Sequence, residues 1–152
     1  LDANKDLMKK EEIRLDELVD YALDSLNLKK SMTVEKRREL KENIINGDFY
    51  WLAKALINIL KNADNRKSCD KIIIYSYKNP LFTSLIIEDN GGGIEKENVK
   101  KIFKRFYKTP DSNGFGIGLA MAKTIVEKNN GEISVSNIDV GARFEIKFYN
   151  VT

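Results

Sequence analysis

Histidine is absent from the 152 residues, which removes imidazole acid–base catalysis and most transition-metal sites, since imidazole is their commonest ligand. Any phosphohistidine chemistry would therefore need another segment. The single cysteine, Cys69, cannot form an internal disulfide, fits a reducing cytoplasm, and reads as a small residue near the start of a strand. No apolar run approaches the ~18 residues that a membrane span needs, and neither a signal peptide nor an anchor is legible. What is present, 42% hydrophobic and 32% charged residues, is the composition of a soluble globular chain with a length suited to one self-sufficient core. The net charge of +3 comes from basic residues scattered among 23 acidic ones. They form no stripe that could track a phosphate backbone, so nucleic acid is not expected as a partner.

Residues 1–9 are polar and read as the stub of a linker, with residues 1–12 assigned to that linker and 13–152 to the folded domain. Over 10–28, Ile13, Leu15, Leu18, Val19, Ala22, Leu23 and Leu26 approach helical spacing, with Asp16 expected to cap the helix. Residues 31–46 alternate weakly, as one or two edge strands would. Asp48 then caps a strong helix over 49–63, whose buried face is Leu52, Leu56, Ile59, Leu60 and Ala63. Its other side carries Lys54, Asn58, Asn62, Asn65 and Arg66. Strands are predicted over 71–77 and 81–88. In the second, Leu81, Thr83, Leu85 and Ile87 share a side, and Asp89 continues that row inward to the rim of the core. A short helix over 96–104 leads to Phe106 and Tyr107, and 108–114 reads as a mobile lid. Gly116 and Gly118 open a helix that stops at Asn130 and Gly131. Two alternating strands close the chain, with Ile133 and Val135 in the first, Phe144, Ile146 and Phe148 in the second, and Gly141 at their turn.

A phosphorylated nucleotide would explain four separated features together. Glycines at 114, 116 and 118 let a backbone approach a ligand and leave free N–H groups at a helix N-terminus, where the dipole favours phosphate. The same glycines also suit a flexible loop meeting a packed helix. No Walker Gly-Lys-Ser or Gly-Lys-Thr follows them, and no strand immediately precedes them. Asn58 and Asn62 sit one turn apart, so their amide oxygens could complete the octahedral shell of a phosphate-bound Mg²⁺; a solvated helix face is the other reading. An inward Asp89 needs a donor, which the exocyclic amine of adenine would supply, with Gly91 and Gly93 giving the flat base room; a turn-forming Asp-Asn is the alternative. Phe103, Phe106 and Tyr107 take their meaning from these neighbours.

The order and wording of these pieces resemble the catalytic domains of bacterial histidine kinases, within the wider ATPase group that includes gyrase and Hsp90. The resemblance rests on an asparagine box, LINILKNA (56–63), a first glycine box, DNGGGI (89–94), a phenylalanine box, IFKRFYK (102–108), and a second glycine box, GFGIGLAMAK (114–123). NNGE at 129–132 and GARF at 141–144 complete a match over roughly 13–149. The resemblance implies an α/β sandwich of the Bergerat type, a mixed and mainly antiparallel sheet of about five strands packed against three helices. ATP would lie between the asparagine helix and the lid. Asn62 would be the main Mg²⁺ ligand with Asn58 assisting, and Asp89 would read adenine beside Gly91, Gly93 and Ile94. Gly114, Phe115, Gly116, Ile117, Gly118 and Leu119 would line the phosphates. Arg105, Tyr107 and Lys108 match the basic and aromatic positions beside the lid, with Arg105 and Lys108 placed to meet phosphate. Phe103 and Phe106 would face the neighbouring domain.

The resemblance further implies phosphoryl transfer to a histidine on a dimerisation hairpin outside these residues, and relay from there to a response regulator. The parent would be a homodimeric inner-membrane sensor with this domain in the cytoplasm, and the isolated domain would be a monomer. One departure concerns the asparagine box. The family usually places a lysine three residues beyond the second asparagine and then an aromatic, where this chain has Asn65 and Arg66, followed by Lys67. Phosphate contact would pass to Arg66 or Lys67, or Arg66 would lie over the base by its guanidinium plane. Two rivals share the ATP fold, a nucleotide-gated binding module without kinase activity and a serine kinase of the anti-sigma type, against which the phenylalanine box speaks.

Overall fold

A computed structural model describes residues 8–105, 107 and 117–150. Its elements in chain order are β1 (Glu11–Arg14), α1 (Leu15–Asp24), β2 (Thr33–Lys36), β3 (Ile44–Gly47), α2 (Phe49–Asp64), β4 (Lys71–Lys78), β5 (Phe82–Asp89), α3 (Gly118–Lys128), β6 (Gly131–Ile138) and β7 (Gly141–Tyr149). Five strands form one sheet in the order β2-β4-β5-β7-β6, and only β2 and β4 run parallel. This is the mixed, mainly antiparallel sheet with three α-helices that was expected. The alternation of β4, β5 and β7 explains how the layers close. Paired positions Ile74 with Ile87, Ile87 with Phe144 and Leu85 with Ile146 put one apolar row of each strand in the core beneath the helices. On the opposite face, long side chains cover Ser84 and Ile86: the Tyr75 hydroxyl donates to Glu88 at 2.7 Å, and those of Tyr77 and Ser84 donate to Glu145 at 2.7 and 2.6 Å.

The chain before Asp48 departs from expectation. Glu11–Arg14 is a strand, antiparallel to β3 in a separate two-stranded sheet that sets Ile13 against Ile45. Cross-strand pairing thus wins over the helical spacing of 10–14, and Glu11 and Glu12, read as linker, belong to β1. Asp16 is not the cap of α1: the N-cap is Arg14, without a side-chain bond, and Asp16 lies in the first turn, where its charge suits the helix dipole. The weakly alternating 31–46 contains β2, a 3-10 turn over Arg38–Lys41 and β3. Leu81, expected in the inward row, is exposed before β5 begins, because the Asn79 side chain accepts from the N–H groups of Leu81 and Phe82 and turns the chain there.

Asp48 does cap α2, its Oδ1 accepting from Trp51 N at 3.1 Å. Buried Asn129 fastens this helix start to the end of α3, accepting from Asp48 N and donating to Ile125 O, both at 2.8 Å. The other end of α2 is held by Lys29, whose ammonium donates to the carbonyls of Asp64 and Arg66 at 2.8 and 2.7 Å. The Asp64 carbonyl is one that a helix C-terminus leaves unpaired, and that of Arg66, just past the cap, also accepts from Cys69 N at 3.1 Å. The helix expected over 96–104 is absent: a 3-10 turn at Lys96–Asn98 gives way to turns. Its backbone bonds, from Asn98 to Glu95, Lys101 to Asn98, Lys104 to Lys101 and Tyr107 to Lys104, all span three residues. Only Ile102 of this stretch is buried, too little apolar surface to drive an amphipathic helix.

Candidate functional site

α2 reaches two other elements near its C-terminal half: Arg66, just past its end, meets the C-terminal end of β5, and Asn58, earlier on the helix, meets the start of α3. Asp89, the final residue of β5, lies in the same row as Ile87 and is 3% exposed. A buried carboxylate needs donors. Its Oδ1 accepts from the N–H groups of Gly91 at 2.9 Å and Ala142 at 3.3 Å, and its Oδ2 is paired with the guanidinium of Arg66. A Cβ at Gly141 would stand 2.7 Å from Asp89 Oδ1, so the turn from β6 to β7 can press against Asp89 only with glycine there.

Arg66 corrects an expectation. Placed on the solvent side of the asparagine helix, it is instead 8% exposed, because it follows the C-cap Asn65 and turns back toward Asp89. Its guanidinium covers Gly91, where an added Cβ would meet Cζ at 2.9 Å. Gly93, at φ 77°, likewise faces the Asn137 amide, with Oδ1 2.9 Å from the position of a Cβ. The space expected beside both glycines is thus taken by side chains. Asn137 also grips Ile94, accepting from its N–H at 2.7 Å and donating to its carbonyl at 2.6 Å. Ser68 Oγ donates to Gly91 O at 3.0 Å. The Asn90 amide accepts from the N–H groups of Asp70 and Lys71 at 2.9 and 3.0 Å. Together these bonds fix the glycine turn to the sheet. Asn137, Ser68 and Lys29 carry no sequence signal for this work, since each reaches a partner more than 20 residues away.

At the other end, Asn58 and Asn62 occupy successive turns of α2, both half-buried. Asn58 Nδ2 donates to Gly118 O at 3.1 Å, which joins α2 to the glycine start of α3 and leaves the Asn58 amide oxygen as an acceptor. Two neutral oxygens one turn apart suit a Mg²⁺ that already carries phosphate oxygens. Among the described residues no group of three His, Cys, Asp or Glu could hold a metal by itself. Ile117 is exposed and Leu119 is buried as α3 begins. Phe103 packs edge-on against Phe144, ring centroids 6.2 Å apart, and Tyr107 packs partly buried against the core, its phenol pushed up by burial and then by the charge of Glu95. Arg105 is exposed and Asn65 half-buried. Phe106, Lys108, Gly114, Phe115 and Gly116 lie outside the described residues. Cys69 is buried, its thiol pushed up by burial and secondarily by the Asp89 carboxylate.

The arrangement offers a carboxylate for an amine-bearing base at one end and amide oxygens beside a helix N-terminus for phosphates at the other. The pattern that defines the histidine kinase-, DNA gyrase B- and HSP90-like ATPases matches residues 47–151. Sensor protein RprX of Bacteroides fragilis is 29% identical over 95% of this chain and 30% of its own length. Sensor histidine kinase YvrG of Bacillus subtilis is 38% identical over 66% of the chain and 18% of its own length. The chain thus spans less than a third of the curated relatives it matches. Among solved structures, the mycobacterial sensor histidine kinase MprB superposes with a TM-score of 0.79 at 24% identity, covering 93% of this chain and 97% of that one. The ATP-binding domain of PrrB from Mycobacterium tuberculosis gives 0.78 at 21% identity, covering 94% and 98%. At these identities the superpositions establish the fold.

Proposed function

Because the chain belongs to the histidine kinase-, DNA gyrase B- and HSP90-like ATPases, we propose that it binds Mg²⁺-ATP and donates the γ-phosphoryl group to a histidine of a separate dimerisation hairpin. The observation that carries this reading is that α2 reaches both parts of the site: Arg66, just past its end, pairs with Asp89, and Asn58 holds the glycine start of α3. Asp89 accepts from the exocyclic amine of adenine. Asn62 and Asn58 hold Mg²⁺ against the phosphates, where the metal supplies neutralisation of phosphate charge. The second glycine box, Gly114 to Leu119, lines the same phosphates with N–H groups that include those at the start of α3, and Lys108 and Arg105 add cations beside them. Catalysis is then chiefly positioning: the imidazole nitrogen attacks the γ-phosphorus, the bond to the β–γ bridging oxygen breaks, and ADP leaves. The hairpin supplies acceptor and base, Phe103 and Phe106 face it, and the phosphoryl group passes on to an aspartate of a response regulator. The parent is a homodimeric membrane sensor with this domain on the cytoplasmic side.

The relatives named as sensor histidine kinases support this reading over a serine kinase or a non-catalytic nucleotide module. Mixing the domain with the parent's hairpin and γ-labelled ATP tests it. Acid-labile, base-stable label on the hairpin is expected; acid-stable label on a serine, or no label despite nucleotide binding, would replace the reading with one of those two.

A further inference from the structure

The carboxylate oxygen that would read a base already has a partner. Asp89 Oδ1 is committed to two backbone N–H groups, so Oδ2 is the oxygen left for an exocyclic amine, and Oδ2 is the atom paired with Arg66. The two side chains are 9% and 1% exposed, which keeps the pair out of reach of salt screening. The guanidinium lies against the backbone of Gly91, its Cζ, Nε and Nη2 at 2.9, 3.1 and 3.2 Å from where a Cβ would be. Yet Arg66 Nε is buried without a hydrogen-bond partner among the described residues.

A buried arginine that satisfies one donor on a carboxylate and orphans another is poorly matched to a purely structural role, since the orphan carries a desolvation cost that water would relieve. The backbone beneath it is well held: Arg66 N donates to Ala63 O at 3.2 Å and Arg66 O accepts from Lys29. The side chain can therefore swing out to water while the helix end stays in place.

We propose that Arg66 and the base of the incoming nucleotide compete for Asp89 Oδ2, which makes Arg66 the residue that sets nucleotide affinity. The proposal rests on the base site described under Proposed function and adds to it a competitor from within the chain. With Arg66 in, Asp89 is paired and the face of Gly91 is covered; with Arg66 out, both are free for a purine. Affinity for nucleotide is reduced by the fraction of molecules in the open arrangement.

Calorimetric titration of Mg²⁺-ADP into the wild type and Arg66→Met tests this, since Met keeps the length and packing of the stem and removes every donor. Binding tightened by about tenfold or more in Arg66→Met, with a lower Tm in the absence of nucleotide, is the expected result. Equal or weaker binding by the variant, with the wild type still binding, removes the competition and leaves the base site standing. No binding by either folded protein removes both. Should Arg66→Met fail to fold, ¹⁵N spectra of the wild type decide: saturation with Mg²⁺-ADP should speed hydrogen exchange at Arg66 Nε–H by at least about tenfold, by taking it from the protein interior to water. Unchanged protection at saturating nucleotide overturns the proposal.

Discussion

At the base end of the site, Asp89 stands on a central strand between two backbone N–H groups and a buried cation. At the phosphate end, Asn58 reaches a single carbonyl where a helix begins. The first is bound into the sheet through the glycine turn, Asn137 and Ser68; the second joins only α2 and α3. The difference teaches that the two ends answer to different demands. On the proposed reading, a flat base of fixed shape would be read by a carboxylate that the sheet holds in place, whereas phosphates that change during transfer would be met by a helix start and neutral amides that can adjust. Mutations at the base end should therefore cost stability and binding together, and those at the phosphate end should separate the two.

Asp89→Ala should have the largest effect. It leaves the N–H groups of Gly91 and Ala142 without their acceptor, at about 1–3 kcal/mol each, read by urea unfolding, and it abolishes nucleotide binding. Gly141→Ala follows: a Cβ 2.7 Å from Asp89 Oδ1 must push β7 from β5, costing roughly 1–3 kcal/mol and weakening nucleotide binding in the same protein. Asn129→Ala sharpens the comparison from outside the site. It orphans Asp48 N and leaves Ile125 O only its backbone partner, the N–H of residue 129, for a loss of about 1–3 kcal/mol, with the Kd for Mg²⁺-ADP unchanged. Asn58→Ala should cost only about 0.5–1.5 kcal/mol of stability while narrowing, without abolishing, the difference between binding with and without Mg²⁺, measured by paired titrations. If it costs as much stability as Asp89→Ala, the contrast between the ends is wrong.

The smallest effect lies on the outer face of the sheet. Burial, followed by the hydrogen bond to Glu88, pushes the Tyr75 phenol up from 10 to about 12. A raised folded value makes its contribution complete below pH 10 and lost as pH rises toward 12. Tyr75→Phe should flatten the fall of stability between pH 10 and 12 in unfolding curves, and leave neutral pH little changed.

How much of this was legible in the sequence depended on the range of the interaction that decides each element. The inward turn of Asp89 followed from the two-residue period of β5, and the start of α2 from Asp48, both local signals. The five-stranded sheet and three helices followed from the resemblance, and membership of the ATPase family bears it out. Ile13 and Leu15 fit either period, and the pairing that makes 11–14 a strand lies some 30 residues away in β3. The stretch 96–104 has helix-forming residues but buries only Ile102, so composition misled where packing ruled. Arg66 was noted as a departure from the family, yet its burial depends on Asp89, 23 residues on, and no local pattern announces such a pair.

Thermal unfolding with Mg²⁺-ADP titrated in, beside an Asp89→Asn control, tests the central claim most directly. Ligand at ~100 times its Kd should add about 2.7 kcal/mol, raising Tm by roughly 5 to 10 °C. The account predicts a saturable rise that requires Mg²⁺ and is lost in the control. A Tm that stays flat at millimolar nucleotide, or that rises equally in Asp89→Asn, would contradict it.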